Sequence, residues 1–99
     1  MRVISRVPLK KFTARPDCRD AEKPVDTWYH EVRRAQWTSG MDIKAQYASA
    51  SILKNRRVVF NIGGNKYRIV VKVNYPAHVV YIRFIGTHED YDAINAEEI

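Results

Sequence analysis

Two groups of residues in this chain have the types and spacing to do chemistry. The first is Thr87-His88-Glu89-Asp90-Tyr91. Thr followed three residues later by Asp has the form of a capping box, with Asp in place of the usual Glu. Thr87 would then cap a terminal helix, with His88 at its first position and Tyr91 one turn on. Residues three apart lie on neighbouring helical faces, so His88 and Tyr91 can face one site. The positive end of the helix dipole disfavours imidazolium, which helps keep His88 neutral and able to take a proton. The second group is Arg68, Lys72 and Arg83, with Tyr81, on segments that alternate as strands. A structural reading stands beside the chemical one: Tyr91 packs in the core and His88 is a surface residue of the cap. The residues alone leave both open.

The elements that must position these groups lie between Arg56 and Tyr91. Three apolar, β-branched and aromatic runs are separated by Gly63-Gly64-Asn65 and by Asn74-Tyr75-Pro76-Ala77. That pattern predicts an antiparallel three-stranded meander. In Arg57 to Ile62, Val58, Phe60 and Ile62 alternate with Arg57, Val59 and Asn61. In the second run Tyr67, Ile69, Val71 and Val73 oppose Arg68, Val70 and Lys72. In the third, Val80, Ile82 and Phe84 oppose Val79, Tyr81, Arg83 and Ile85. A period of two therefore puts Arg68, Lys72, Tyr81 and Arg83 on one face. Both faces carry apolar residues, so the expectation is a sheet packed on one side and cupped on the other.

Upstream, Met1 to Ser5 reads as a short edge strand, and Val7-Pro8 opens a helix with Leu9 and Phe12 inward. Arg15-Pro16-Asp17 breaks it, because a proline pushes the preceding residue out of the helical region. Asp20 or Asp26 is placed to cap a second helix running through Trp28 to Ala35. Trp28, Val32 and Ala35 share its apolar face. His30, alone on that helix, reads as structural or exposed. Thr38-Ser39-Gly40 ends the helix, and a shorter turn from Met41 to Tyr47 leads to Ile52-Leu53.

Composition bounds what this assembly can be. A chain of 99 residues, 45% hydrophobic and 11% aromatic, has room for one domain, 1–99, with one modest core. Seventeen Lys and Arg against eleven Asp and Glu leave a net charge of +6. The distribution matters more than the total. No Asp or Glu falls between Ile43 and His88, while Glu89, Asp90, Asp92, Glu97 and Glu98 follow with no basic residue among them. A sheet without carboxylates can approach phosphates without local repulsion. The single cysteine, Cys18, excludes an intramolecular disulfide and a multi-cysteine metal cluster, and fits a reducing cytoplasmic compartment. No signal peptide or long apolar run is present, so a soluble protein that does not span a membrane is expected.

The run VVFNIGGNKYRIVVKVNY followed by VYIRFIGTHEDYD closely resembles the HigB family of bacterial toxin–antitoxin toxins. The resemblance covers Trp37 to Ile94 well, and the helical first third in pattern more than in letters. It implies an α+β fold of the RelE-like kind: helices packed on a small twisted antiparallel sheet, with a short C-terminal helix. It also implies an mRNA endoribonuclease that acts with the ribosome and is arrested by a cognate, HigA-like antitoxin of the helix-turn-helix type. No metal or other cofactor is expected. Cleavage of RNA without a metal needs the 2′-hydroxyl deprotonated, the pentavalent phosphate stabilised and the leaving 5′-oxygen protonated. Arginine suits the phosphate because its charged fork binds oxygen pairs. Arg68 in NKYR and Arg83 in YIRF match family positions that hold basic residues, so the resemblance assigns both to phosphate. It assigns His88 and Tyr91 to acid–base work or base stacking. Asn61, Lys66, Arg57 and Lys72 are the further candidates for holding RNA. Some relatives in the wider superfamily use a carboxylate base, and Glu31 is the residue that would supply one here. A non-catalytic RNA- or ribosome-binding module, using the same basic sheet, is the alternative.

Overall fold

A computed structural model describes all residues from Met1 to Ile99. The chain runs β1 (Arg2–Ile4), α1 (Val7–Thr13), a 3-10 segment (Pro16–Ala21), α2 (Glu22–Arg34), α3 (Gly40–Gln46), β2 (Ser51–Ile52), β3 (Arg57–Ile62), β4 (Tyr67–Asn74), β5 (Val79–Thr87) and α4 (His88–Asp92). The five strands form one sheet in the order β1-β5-β4-β3-β2. The expected meander β3-β4-β5 is antiparallel, and β1 joins its edge parallel to β5, so the whole sheet is mixed. The α+β architecture expected from the sequence, short terminal helix included, is what the structure has.

The helical layer lies on one face of the sheet. Val25, Trp28 and Val32 follow the spacing of an amphipathic helix, and all three are buried. They meet Val58, Phe60, Ile69, Val71, Val73 and Val80 in one core that also takes Leu9 and Phe12 from α1. Phe60 sits at its centre, edge-on to Trp28 and Tyr47 with ring centroids 5.2 Å away in each case. Complete burial of an aliphatic or Phe side chain of this kind contributes roughly 1.5–3 kcal/mol.

Two local expectations need correction. Neither Asp20 nor Asp26 caps α2: the cap position is Ala21, with no side-chain cap bond. Asp26 lies inside the helix and pairs with Arg6 at 2.8 Å, while Asp20 reaches across to β4. The 3-10 turn running directly into α2 leaves no extended residue for a cap to occupy. The second correction concerns β5. Val71 pairs with Ile82 and Val70 with Phe84, so Arg83 is an extra residue in a β-bulge. Simple alternation fails beyond that point. Ile85 packs with the helix-side core, and Phe84 joins a small cluster on the opposite face.

Candidate active site

The register of the meander sorts the face opposite the helices into three rows across β3, β4 and β5. Asn61, Arg68 and Gly86 form one end row. Val59, Val70 and Phe84 form the middle, and Arg57, Lys72 and Tyr81 the other end. The middle row is apolar and covered. Val59 and Val70 are buried with Ala96, and Leu53, Phe84, Tyr91, Ile94 and Ile99 pack around them. The segment after β5 therefore crosses the face that alternation alone left cupped, and divides its polar residues into two ends.

At the first end, α4 stands over Gly86. Thr87 Oγ1 accepts the Asp90 backbone N–H at 3.1 Å, and Asp90 Oδ2 accepts the Thr87 N–H at 3.2 Å, which completes the capping box read from the sequence. A side chain at Gly86 would place its Cβ 2.5 Å from the Phe84 ring tip and 3.0 Å from Asp90 Cβ. Glycine is thus what lets α4 sit down on the row. That seat brings Tyr91 to Arg68, with the guanidinium carbon 5.9 Å from the ring centroid. Arg68 Nη1 also donates to the Asn65 carbonyl at 2.7 Å, which directs the fork toward this end. His88 is about half exposed at the first position of α4, its Nδ1 3.3 Å from Asp92 Oδ2. Its backbone N–H donates to the Lys66 carbonyl at 3.1 Å. Asn61 shares the row but donates its side-chain amide to Ser49 O at 3.2 Å.

The other expected residues are placed differently. Arg83 is exposed in the bulge, beyond the Val70–Phe84 row from Arg68, so the strand register does not bring the two arginines together. Lys66 pairs with Asp20, which holds the ammonium above its ordinary pKa. Arg57 is buried beneath the C-terminal segment, its Nε on Ile99 O and its Nη1 on Asn55 O, both at 2.8 Å. Lys72 borders a cleft with Arg56 and Arg57 that Glu97 and Glu98 also line. At this second end the cations face tail carboxylates and carbonyls. Glu31 accepts the Tyr47 hydroxyl at 2.7 Å, and burial followed by that carboxylate pushes the phenol pKa up. Glu31 lies on α2 and lines a cleft with Tyr47, Asn61, Ile62 and Gly63.

Residues 21–94 match the model of a family described as HigB toxin, the RelE-like toxic component of a toxin–antitoxin system. The chain belongs to the HigB toxin family. Among curated proteins, an mRNA interferase toxin HigB of Escherichia coli strain K12 is 38% identical over 56 residues, 54% of each chain. An mRNA interferase HigB of Shigella flexneri matches to the same extent. A further mRNA interferase HigB, from Escherichia coli O6:H1, is 22% identical over 96 residues, covering 95% of this chain and 91% of its own. The 38% matches span about half the length of those relatives. The family match runs from Ala21, the cap residue of α2, to Ile94, so its span includes both the turn before β4 and α4.

Proposed function

We propose that this HigB family member is a toxin that cleaves mRNA by metal-independent acid–base chemistry, with the message presented by the ribosome. The observation that carries the reading is the seat of α4 on the Asn61–Arg68–Gly86 row, which sets the Tyr91 ring near the Arg68 guanidinium and starts the helix with an exposed His88. Arg68 is the phosphate ligand, with a fixed charge that stabilises the pentavalent centre. His88 moves the proton. Asp92 beside Nδ1 orients the ring and leaves Nε2 for the substrate, the arrangement that suits a general acid or base. Tyr91 stacks on a base or donates to a phosphate oxygen. Arg83 takes a neighbouring phosphate along the same strand of RNA. Arg57, held at the far end by the tail, and Lys72, paired with it across the strands, lie outside this surface.

The partners follow from the same reading: translated mRNA, and a HigA-like antitoxin that occludes or distorts the α4 end. The compartment is the cytoplasm, where messages are translated. No helix here is long and apolar enough to cross a membrane. Transcripts mapped by primer extension after expression of the chain alone test the proposal. New 5′ ends within translated regions, lost with Arg68→Ala although that variant keeps its circular-dichroism spectrum, are expected. Growth arrest with intact transcripts would instead support a binding module that blocks ribosomes without cutting.

A further inference from the structure

The turn joining β3 to β4 supports both halves of the candidate site through its main chain. Arg68 Nη1 is held by the carbonyl of Asn65, and the first N–H of α4, that of His88, by the carbonyl of Lys66. Any rotation of this turn therefore moves the phosphate ligand and the proton carrier together. Gly63, Gly64 and Asn65 all have positive φ, at 62°, 62° and 81°, the conformation that glycine and asparagine take most readily. The turn's internal bond, Lys66 N–H to Gly63 O, is long at 3.3 Å. It has a support from outside as well.

Asp20 is that support. Its Oδ2 accepts from Lys66 Nζ and its Oδ1 from the Tyr67 hydroxyl, so one carboxylate grips the two residues that close the turn. Lys66, then Tyr67, hold the Asp20 carboxyl below the ordinary aspartate range, so it is ionised wherever the protein works. Tyr67 is buried and packs edge-on to Phe12 at 5.6 Å, which ties the grip to α1. Asp20 itself is fixed by the buried residues on either side, Cys18 and Ala21, in the 3-10 segment. Charge makes the arrangement specific. Residues 43 to 88 contain no carboxylate, so the counter-charge for this turn has to come from elsewhere in the chain.

We propose that Asp20 is a positioning residue of the cleavage site: by holding Lys66 and Tyr67 it sets the turn carbonyls that orient Arg68 and seat His88. The catalytic part rests on the function proposed above, while the positioning part stands on the geometry alone. The Lys66–Asp20 pair is more than half exposed, and ion pairs of that kind contribute little to global stability. Its effect is therefore local, on geometry. Misplacing reacting groups by about an ångström costs on the order of a hundredfold in rate, so a fall of ten- to a hundredfold is expected when the grip is lost.

Asp20→Asn keeps the shape and one acceptor but removes the charge, and Lys66→Met removes the same contact from the other side. Three readouts on the full chain decide the matter: 15N spectra of the His88 amide and the Arg68 Nε–H, single-turnover cleavage on programmed ribosomes, and affinity for a 2′-deoxy substrate that cannot be cut. Both variants should shift the two signals and slow the chemical step. Both should lower the thermal midpoint only slightly and lower the rate no further when combined, while Asp20→Asn should keep RNA affinity and Asp20→Glu should regain part of the rate. Unmoved His88 and Arg68 signals would overturn the proposal. So would a parental rate in both variants, or a loss in Asp20→Asn confined to RNA affinity. A parental protein that cuts no RNA in this assay would sink the proposed function, and the spectra would still decide whether Asp20 positions the site.

Discussion

Gly86→Ala tests the physical reason that α4 can stand on the sheet. The added methyl would lie 2.5 Å from the tip of the Phe84 ring, 3.0 Å from Asp90 Cβ and 3.2 Å from Asp90 Oδ2. Phe84 belongs to the cluster around Val70, so its ring has little freedom to retreat, and Asp90 is the return arm of the capping box. Overpacking of this kind costs about 1–3 kcal/mol. Breaking the cap would add about 1 kcal/mol. For a domain of this size each kcal/mol moves the melting temperature by roughly 4–8 °C. The expected outcome is a midpoint about 8–32 °C lower by calorimetry, and faster hydrogen exchange at the Asp90 amide. Cleavage should fall further than the folded fraction does, because Tyr91 leaves Arg68. An alanine variant with the parental midpoint and a protected Asp90 amide would refute the argument that close approach at Gly86 seats the helix.

Further outcomes follow from the same geometry. His88→Gln should lower single-turnover cleavage by about a hundredfold to ten-thousandfold, the usual loss for a general acid or base, with little change in stability. Tyr91→Phe separates roles: a large fall in rate means the hydroxyl transfers a proton or binds phosphate, and a parental rate means stacking. Arg57→Ala strips two carbonyls, Asn55 O and Ile99 O, of their charged donor. About 1–3 kcal/mol should be lost and the segment after Ala93 should become open to proteases, with an unchanged denaturation midpoint counting against the tail-holding role. Acid behaviour follows from Asp20, whose folded pKa lies below its ordinary value of 3.8 because of Lys66 and Tyr67. Its contribution is full above the unfolded pKa and disappears as pH falls through the lower, folded one. Acid titration below pH ~4 should therefore be less steep in Asp20→Asn than in the parent.

What the sequence determined was local or periodic. Alternation in residues 57–62 and 67–73 fixed the meander, because a strand's side chains must alternate between a core and another face. Thr87 and Asp90 fixed the start of α4, because a capping box closes within four residues of chain. Family resemblance added roles for Arg68, Arg83, His88 and Tyr91, residues that spacing had already brought forward. Tertiary structure decided which of the expected cations are available. Arg57 is held by a carbonyl 42 residues away, and Lys66 by a carboxylate 46 residues away. Pairings at that separation leave no spacing to read, since they exist only once the sheet has brought the segments together. Alternation also carried no sign of the bulge at Arg83, because one unpaired residue shifts the phase without changing the residue types around it. Nor could it tell which face would be free. Both faces bear apolar residues, and only the path of the C-terminal segment decides that the middle of the second face is covered and that its polar residues are left at two separate ends.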